Sequence, residues 1–426
     1  MPKTSLQMLK RKTDLTRIIS LLLLIPIFGA CSGKSSDPSG NWQGFVRNNS
    51  GEEVAFTLEV KRSGDQLTGQ LVNGDDRTSS TSGTFTGNNL KLRFDYYDGE
   101  LNATIDGDDL KGEFVRQWQK QILRREIRAG RKISAGQSSP TVADISGDWV
   151  LRVGEAPNQR LWRAAFSQKG SDLRGTIIPV TGDWGQFTGK IENNRVTLNR
   201  FDGINSRIFR ATLNSDGNLE GIVDLGLLDP VRKVIAERLD QNNKASVAGL
   251  PDPNVYTRMA NPAEPFRFSF PGLDGKTVSS TDDRFKNKVL IVSITGSWCP
   301  NCHEEAPLMQ EFYERYRSQG LEIVALAFEY TGVAERDFEQ MRIFAGRHKL
   351  TYPMLLAGST EEGDLQRKLP QLVNCGAYPT TLFIGRDGLV KRIHAGFEGK
   401  ATGERHTRLV REYEDLIKDL LAGKEV

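Results

Sequence analysis

Gly296-Ser297-Trp298-Cys299-Pro300-Asn301-Cys302-His303-Glu304-Glu305-Ala306-Pro307 is the stretch on which the fold turns. Immediately before it, Val289–Thr295 is a near-continuous β-branched run and reads as a buried central strand. After it, Ala306, Leu308, Met309, Phe312, Tyr313 and Tyr316 fall at helical spacing across 302–318. The two cysteines therefore stand where a strand ends and a helix begins. A helix N-terminus offers unpaired N–H groups and a positive dipole end, both of which favour a thiolate over a thiol. Two intervening residues place the second cysteine one turn later, where it can resolve a mixed disulfide. A zinc half-site is the competing use of Cys-x-x-Cys. No second such pair stands at ligand spacing, and the four histidines (303, 348, 394 and 406) are scattered. Neither a metal nor another cofactor is expected.

Outward from this motif, strands and helices alternate from residue 263 to the end. A short hairpin is expected at Phe266–Phe270 and Val278, turning at Asp274-Gly275. Leu321–Phe328 reads as a second buried strand and Glu335–Arg347 as a helix. Thr380–Ile384 and Val390–His394 form a hairpin around Arg386-Asp387-Gly388, and an amphipathic helix covers 404–422. Upstream the grammar differs. Gly40-Asn41-Trp42 recurs as Gly147-Asp148-Trp149, Gly83 to Gly87 (GTFTG) as Gly185 to Gly189 (GQFTG), and Leu110-Lys111-Gly112 as Leu219-Glu220-Gly221. Short alternating runs such as Ala55–Val60, punctuated by Asn, Asp and Gly turns, predict two antiparallel all-β modules, each a sandwich or barrel. The expected division is β modules at 40–135 and 144–245, a linker at 246–262 and an α/β domain at 263–426.

The N-terminus carries a targeting signal. Lys3, Lys10, Arg11, Lys12 and Arg17 precede an eleven-residue apolar run from Ile18 to Phe28, too short to span a bilayer. Phe28-Gly29-Ala30-Cys31 resembles a bacterial lipobox, which implies a signal peptide at 1–30 and lipid on Cys31. Ser32 after the cysteine favours the outer membrane, with 31–39 as a tether. The first 30 residues hold five of the Lys/Arg and one Asp, net +4 of the chain's +3. The remainder is therefore near neutral, and nucleic acid is not expected as a partner. Of the four cysteines, Cys31 aside, one close pair and the single Cys375 remain, so no disulfide framework staples the fold.

Residues 263–422 resemble the TlpA/ResA-like branch of thioredoxin-fold proteins. The likeness rests on GSWCPNCHEEAP (296–307), on Tyr378-Pro379-Thr380-Thr381, on the lead-in at 268–278 and on IHAGFEGKATG (393–403). It implies an α/β thioredoxin-like domain that exchanges thiols and disulfides outside the cytoplasm. Cys299 would be the exposed nucleophile and Cys302 the resolving thiol, cycling through a Cys299–Cys302 disulfide. Pro379 would be a cis-proline against the pair, with Trp298, Pro300, Asn301 and Tyr378 shaping the groove. Glu305 would handle protons, because Ser293 replaces the buried Asp of thioredoxins six residues before the first cysteine. Expected partners are an envelope protein client and a membrane or periplasmic electron donor. Two alternatives stand beside this reading. A peroxidase on the same fold wants Thr or Ser three residues, and Pro seven residues, before its cysteine, where Gly296 and Val292 stand here. The other is an envelope binding or scaffold lipoprotein, for which Trp42 and Trp149 would stack on a glycan; their recurrence at the start of each module points instead to core-anchoring residues. The default role of the β region is a spacer between membrane and redox head that also helps to choose clients. Cys375 reads as a small buried hydrophobe or an auxiliary thiol.

Overall fold

The computed structural model describes residues 37–131, 143–226, 231–239 and 249–425. The signal segment, Cys31 and most of the tether lie outside the described residues. Among the described residues no helix is long and apolar enough to cross a membrane.

Nine strands form the first module: β1 (Gly40–Arg47), β2 (Glu53–Ser63), β3 (Gln66–Asn73), β4 (Asp76–Ser79), β5 (Ser82–Thr86), β6 (Asn89–Phe94), β7 (Gly99–Asp106), β8 (Asp109–Trp118) and β9 (Gln121–Gly130). They pair in the order β4-β3-β2-β1-β9-β8-β7-β6-β5, so the sheet curls but stays open between β4 and β5. Strict alternation drives the curl. In β2 every second side chain from Val54 to Val60 is buried, and in β6 the same holds for Leu90, Leu92 and Phe94. The second module has eight strands: β10 (Gly147–Val153), β11 (Arg160–Lys169), β12 (Asp172–Ile178), β13 (Phe187–Glu192), β14 (Arg195–Phe201), β15 (Ser206–Leu213), β16 (Leu219–Asp224) and β17 (Arg232–Arg238). Here β17 returns to pair with β10 and the barrel closes.

The open sheet borrows its closure from the barrel. Phe201 and Ile208 of the barrel are buried in the first module's core. The Phe201 ring meets Phe56 at 5.7 Å and Phe114 at 5.4 Å, and its backbone exchanges hydrogen bonds with the Asn73 side chain at 2.9 and 3.1 Å. Trp42 and Trp149 are wholly buried, each donating its indole N–H at 2.9 Å to the carbonyl four residues upstream. Both are core anchors, as their place at the start of each module predicts, and neither ring offers a face to a glycan.

The C-terminal domain carries a five-stranded sheet in which Val289–Thr295 is central and buried at every position. Leu321–Glu329 pairs with it in parallel on one side and Thr380–Ile384 antiparallel on the other, and Val390–Ala395 forms the edge beyond the latter. At the opposite edge Met354–Ser359 is a strand that the sequence reading missed. Helices Pro300–Tyr316, Ala334–His348 and Glu404–Leu421 cover the sheet. The 296–307 stretch thus leaves the middle of the sheet and enters a helix, placing the cysteines at the C-terminal end of the central strand.

Candidate active site

Cys299 is the N-cap of the helix Pro300–Tyr316, with extended backbone, and Pro300 occupies the first helical position. Its sulfur accepts the Cys302 backbone N–H at 3.4 Å and donates to the Tyr378 carbonyl at 3.2 Å. The Tyr378-Pro379 peptide is cis, as the resemblance implies, and it is this segment that brings the carbonyl to the sulfur. Cys299, Cys302 and Cys375 are all free thiols. Burial pushes the Cys302 thiol well above its usual range, and the adjacent Cys299 adds to the rise.

Glu305 lies in the core behind the pair, 2% exposed. Its carboxyl accepts from Ser293 Oγ at 2.7 Å and from Thr381 Oγ1 at 2.5 Å. Burial lifts it to about 7, against the pull of those two hydroxyls. Ser293 therefore does not merely vacate the position of a buried acid. It holds the acid that replaces one. A second buried carboxylate, Glu329, was not legible in the sequence. It accepts from the Ser297 N–H at 2.9 Å and hydroxyl at 2.6 Å, fixing the turn that leads into Trp298-Cys299. Burial lifts Glu329 to about 7 as well.

Trp298 stacks on Tyr330 at 4.8 Å and meets the edge of Tyr378 at 5.1 Å, with its indole N–H on the Phe328 carbonyl. Cys375 is buried in the other core cluster, with Val292, Leu326 and Leu382, whereas Cys299 and Cys302 belong to the cluster with Met309 and Phe312. Burial pushes its thiol up to about 11. This is the environment of a small hydrophobe. His394 is buried too and lowered to about 4 by that burial.

One expectation is overturned. Cys299 is only 5% exposed. The cause is the second β module, whose turn at Thr181-Gly182-Asp183-Trp184 roofs the motif. Asn301 Nδ2 donates to the Asp183 carbonyl at 2.9 Å and to the Phe397 carbonyl at 3.1 Å. The Asp183 N–H donates to the Phe397 carbonyl, and the Gly399 N–H to the Asp183 carboxylate. The first module adds Tyr96 and Tyr97, whose rings meet His303 at 5.5 and 4.9 Å, and an Arg336–Asp98 ion pair. The β region is therefore packed on the redox face. Next to Cys302, Glu304 faces this interface. Burial, helped by the negative charges of Asp183 and Asp76, raises it to about 7 while Arg200 pulls the other way. Among the described residues no group of His, Cys, Asp and Glu is arranged to hold a metal ion.

The family model described as Redoxin matches residues 260–407. The thiol-disulfide oxidoreductase ResA of Geobacillus kaustophilus (strain HTA426) is 32% identical over 127 residues, 30% of this chain and 66% of that protein, just under two thirds of its length. ResA of Geobacillus thermodenitrificans (strain NG80-2) is 30% identical over 144 residues, 34% of this chain and 74% of that protein. Among solved structures, a thiol:disulfide interchange protein of the thioredoxin family from Chlorobium tepidum TLS aligns with 38% of this chain and 99% of its own, at 23% identity and a TM-score of 0.29.

Proposed function

The chain belongs, through its C-terminal domain, to the family of ResA-type thiol–disulfide oxidoreductases, and from that premise we propose that it reduces disulfides outside the cytoplasm through Cys299 and Cys302. The observation that carries this reading is the position of the Cys299 sulfur at a helix N-terminus, accepting the Cys302 N–H, with a buried carboxyl on the far side of the pair. The Cys299 thiolate attacks one sulfur of the substrate disulfide. A mixed disulfide forms and the first substrate thiolate leaves, taking a proton. Cys302 then loses its proton and attacks the Cys299 sulfur, releasing the second substrate thiol and closing the Cys299–Cys302 disulfide. Cys302 is hard to ionise where it sits, so the step needs a nearby base. Glu305, lifted by burial to about 7, is the carboxyl on that side whose charge reaches the Cys302 thiol, after the larger effect of Cys299 itself. A thiol donor of the envelope returns two electrons to the pair. Lipid on Cys31 would anchor the chain, with the outer membrane favoured.

Trapping tests the assignment. Cys299→Ser should abolish disulfide reduction. Cys302→Ser should still attack but fail to resolve, leaving an adduct on a gel that reductant removes. Adduct formation by Cys299→Ser alone would reverse the two roles, and peroxide consumption by the wild type without any adduct would favour the peroxidase.

A further inference from the structure

Cys299 reaches solvent through a cleft of about 230 Å³ between the barrel, the first module and the thioredoxin-like domain. Sites that take drug-sized ligands run to roughly 300–1,000 Å³, so this one suits something smaller. The roof over it is backbone hydrogen-bonded to the redox motif and its neighbouring loop, so a folded protein's disulfide meets Trp184 and Asp183 before it meets the sulfur.

The charges around the cleft are unbalanced. Its two acids are already satisfied: Asp202 accepts from Arg200 at 3.2 Å and from the Asn205 N–H at 2.6 Å, and Asp183 accepts from the Gly185 and Gly399 N–H groups. The cations are not. Arg207 lines the cleft with its guanidinium 4.5 Å from the Trp184 ring; its Nε has no hydrogen-bond partner, and the charges of Asp202 and Asp183 reach it without an ion pair among the described residues. One layer behind, Arg116 is 2% exposed and none of its three guanidinium nitrogens has a partner. It lies over Trp118, at 4.8 Å, and beside Tyr330, whose hydroxyl it approaches, and both rings line the cleft. A buried guanidinium left unpaired is costly, and such orphans in a site call for a partner that arrives with the ligand.

We propose that the substrate of this site is a low-molecular-weight disulfide bearing carboxylates, held by Arg207 with Arg116 behind it, rather than the disulfide of a folded protein. The inference rests on the exchange reaction above and deepens it. The two electrons of the dithiol reduce one small disulfide to two thiols, each sulfur taking a proton, and the protein pair closes as its disulfide. A thiol donor reopens it.

The test uses the reduced full chain, followed by tryptophan fluorescence as the pair oxidises. Its oxidants are the dianionic bis(carboxymethyl) disulfide, the neutral bis(2-hydroxyethyl) disulfide, the dicationic cystamine, and insulin as a folded protein disulfide. Each rate is divided by that of dithiothreitol with the same oxidant, which removes intrinsic reactivity. The dianion should lead the neutral compound by about tenfold and cystamine by more, with insulin slowest. Arg207→Gln should erase the ranking and Arg207→Lys should keep it. If Arg207→Gln fails to fold, the wild-type ranking alone decides. Equal rates across the three small disulfides, or insulin as the fastest oxidant, would overturn the substrate class while leaving the exchange reaction standing. Failure of every disulfide to oxidise the pair would remove both together.

Discussion

Glu304 and Glu305 are neighbours on one helical turn, both lifted to about 7 chiefly by burial, yet they face different halves of the molecule. Glu305 points back into the thioredoxin-like core, where Ser293 and Thr381 hold it. Glu304 points forward, toward Asp183, Asp76 and Arg200 of the β modules. The rear of the redox pair is thus made by the domain itself, and the front by chain more than a hundred residues upstream. In the proposed reaction the rear would set proton transfer and the front would set who can reach Cys299.

The rear should give the largest response. Glu305 and Glu329 are each 2% exposed and titrate near 7, whereas the unfolded chain releases those protons near 4.5. Between these values the folded state binds more protons than the unfolded one. The stability they contribute is therefore full below about pH 4.5 and is lost as pH rises through 7, on the order of 3 kcal/mol for each group. Thermal denaturation from pH 5 to 8 should show Tm falling, and Glu305→Gln should flatten the fall. The same substitution should slow resolution of the mixed disulfide about a hundredfold near neutrality and remove the inflection near pH 7. A pH–rate profile identical to wild type would leave Glu305 as packing only.

The front is broken by a methyl group. Gly396 has φ +78°, and a Cβ there would stand 2.3 Å from the Gly182 nitrogen and 2.4 Å from the Thr181 carbonyl carbon. Both are backbone atoms of the roof, which no rotamer change can move aside. Gly396→Ala should therefore lift the roof, at a strain on the order of 2 kcal/mol, and speed alkylation of Cys299 by a bulky maleimide about thirtyfold. An unchanged alkylation rate would mean that the roof does not limit access.

The rear was legible because one short stretch encodes it. A β-branched run, a Cys-x-x-Cys and a helical period define strand, turn and helix locally, and Ser293 in place of an acid pointed to Glu305. Met354–Ser359 escaped because it is a short apolar segment without β-branched residues, fixed as a strand by its parallel neighbour and an antiparallel bridge from Gly272 to Leu355. The β modules were legible as antiparallel and alternating. Whether their ends pair was not, because the closure of one and the opening of the other depend on contacts such as Phe201 with Phe56 and Phe114. The roof was hidden for the same reason. Asp183 and Asn301 are 118 residues apart, and only the run Gly182-Asp183-Trp184-Gly185, an aromatic set in a turn, interrupts the module's alternation enough to have hinted at it.

Asn301 ties the two halves together and offers the mildest test of the comparison. It sits inside the redox motif, yet both its donated hydrogen bonds go forward, one to the barrel at Asp183 and one to Phe397 beside it. A neutral hydrogen bond contributes about 1 kcal/mol net, and the Phe397 carbonyl keeps the Asp183 N–H when Asn301 is removed. Asn301→Ala should therefore loosen the roof by about 1 kcal/mol and raise maleimide alkylation of Cys299 about fivefold, well below the Gly396→Ala effect. Iodoacetamide, small enough for the cleft, should respond less than the maleimide. The pH–rate inflection near 7 should stay where it is, because Ser293, Thr381 and Glu305 lie on the other side of the pair. Movement of that inflection in Asn301→Ala would show front and rear to be one coupled site, and the division drawn between them would fall.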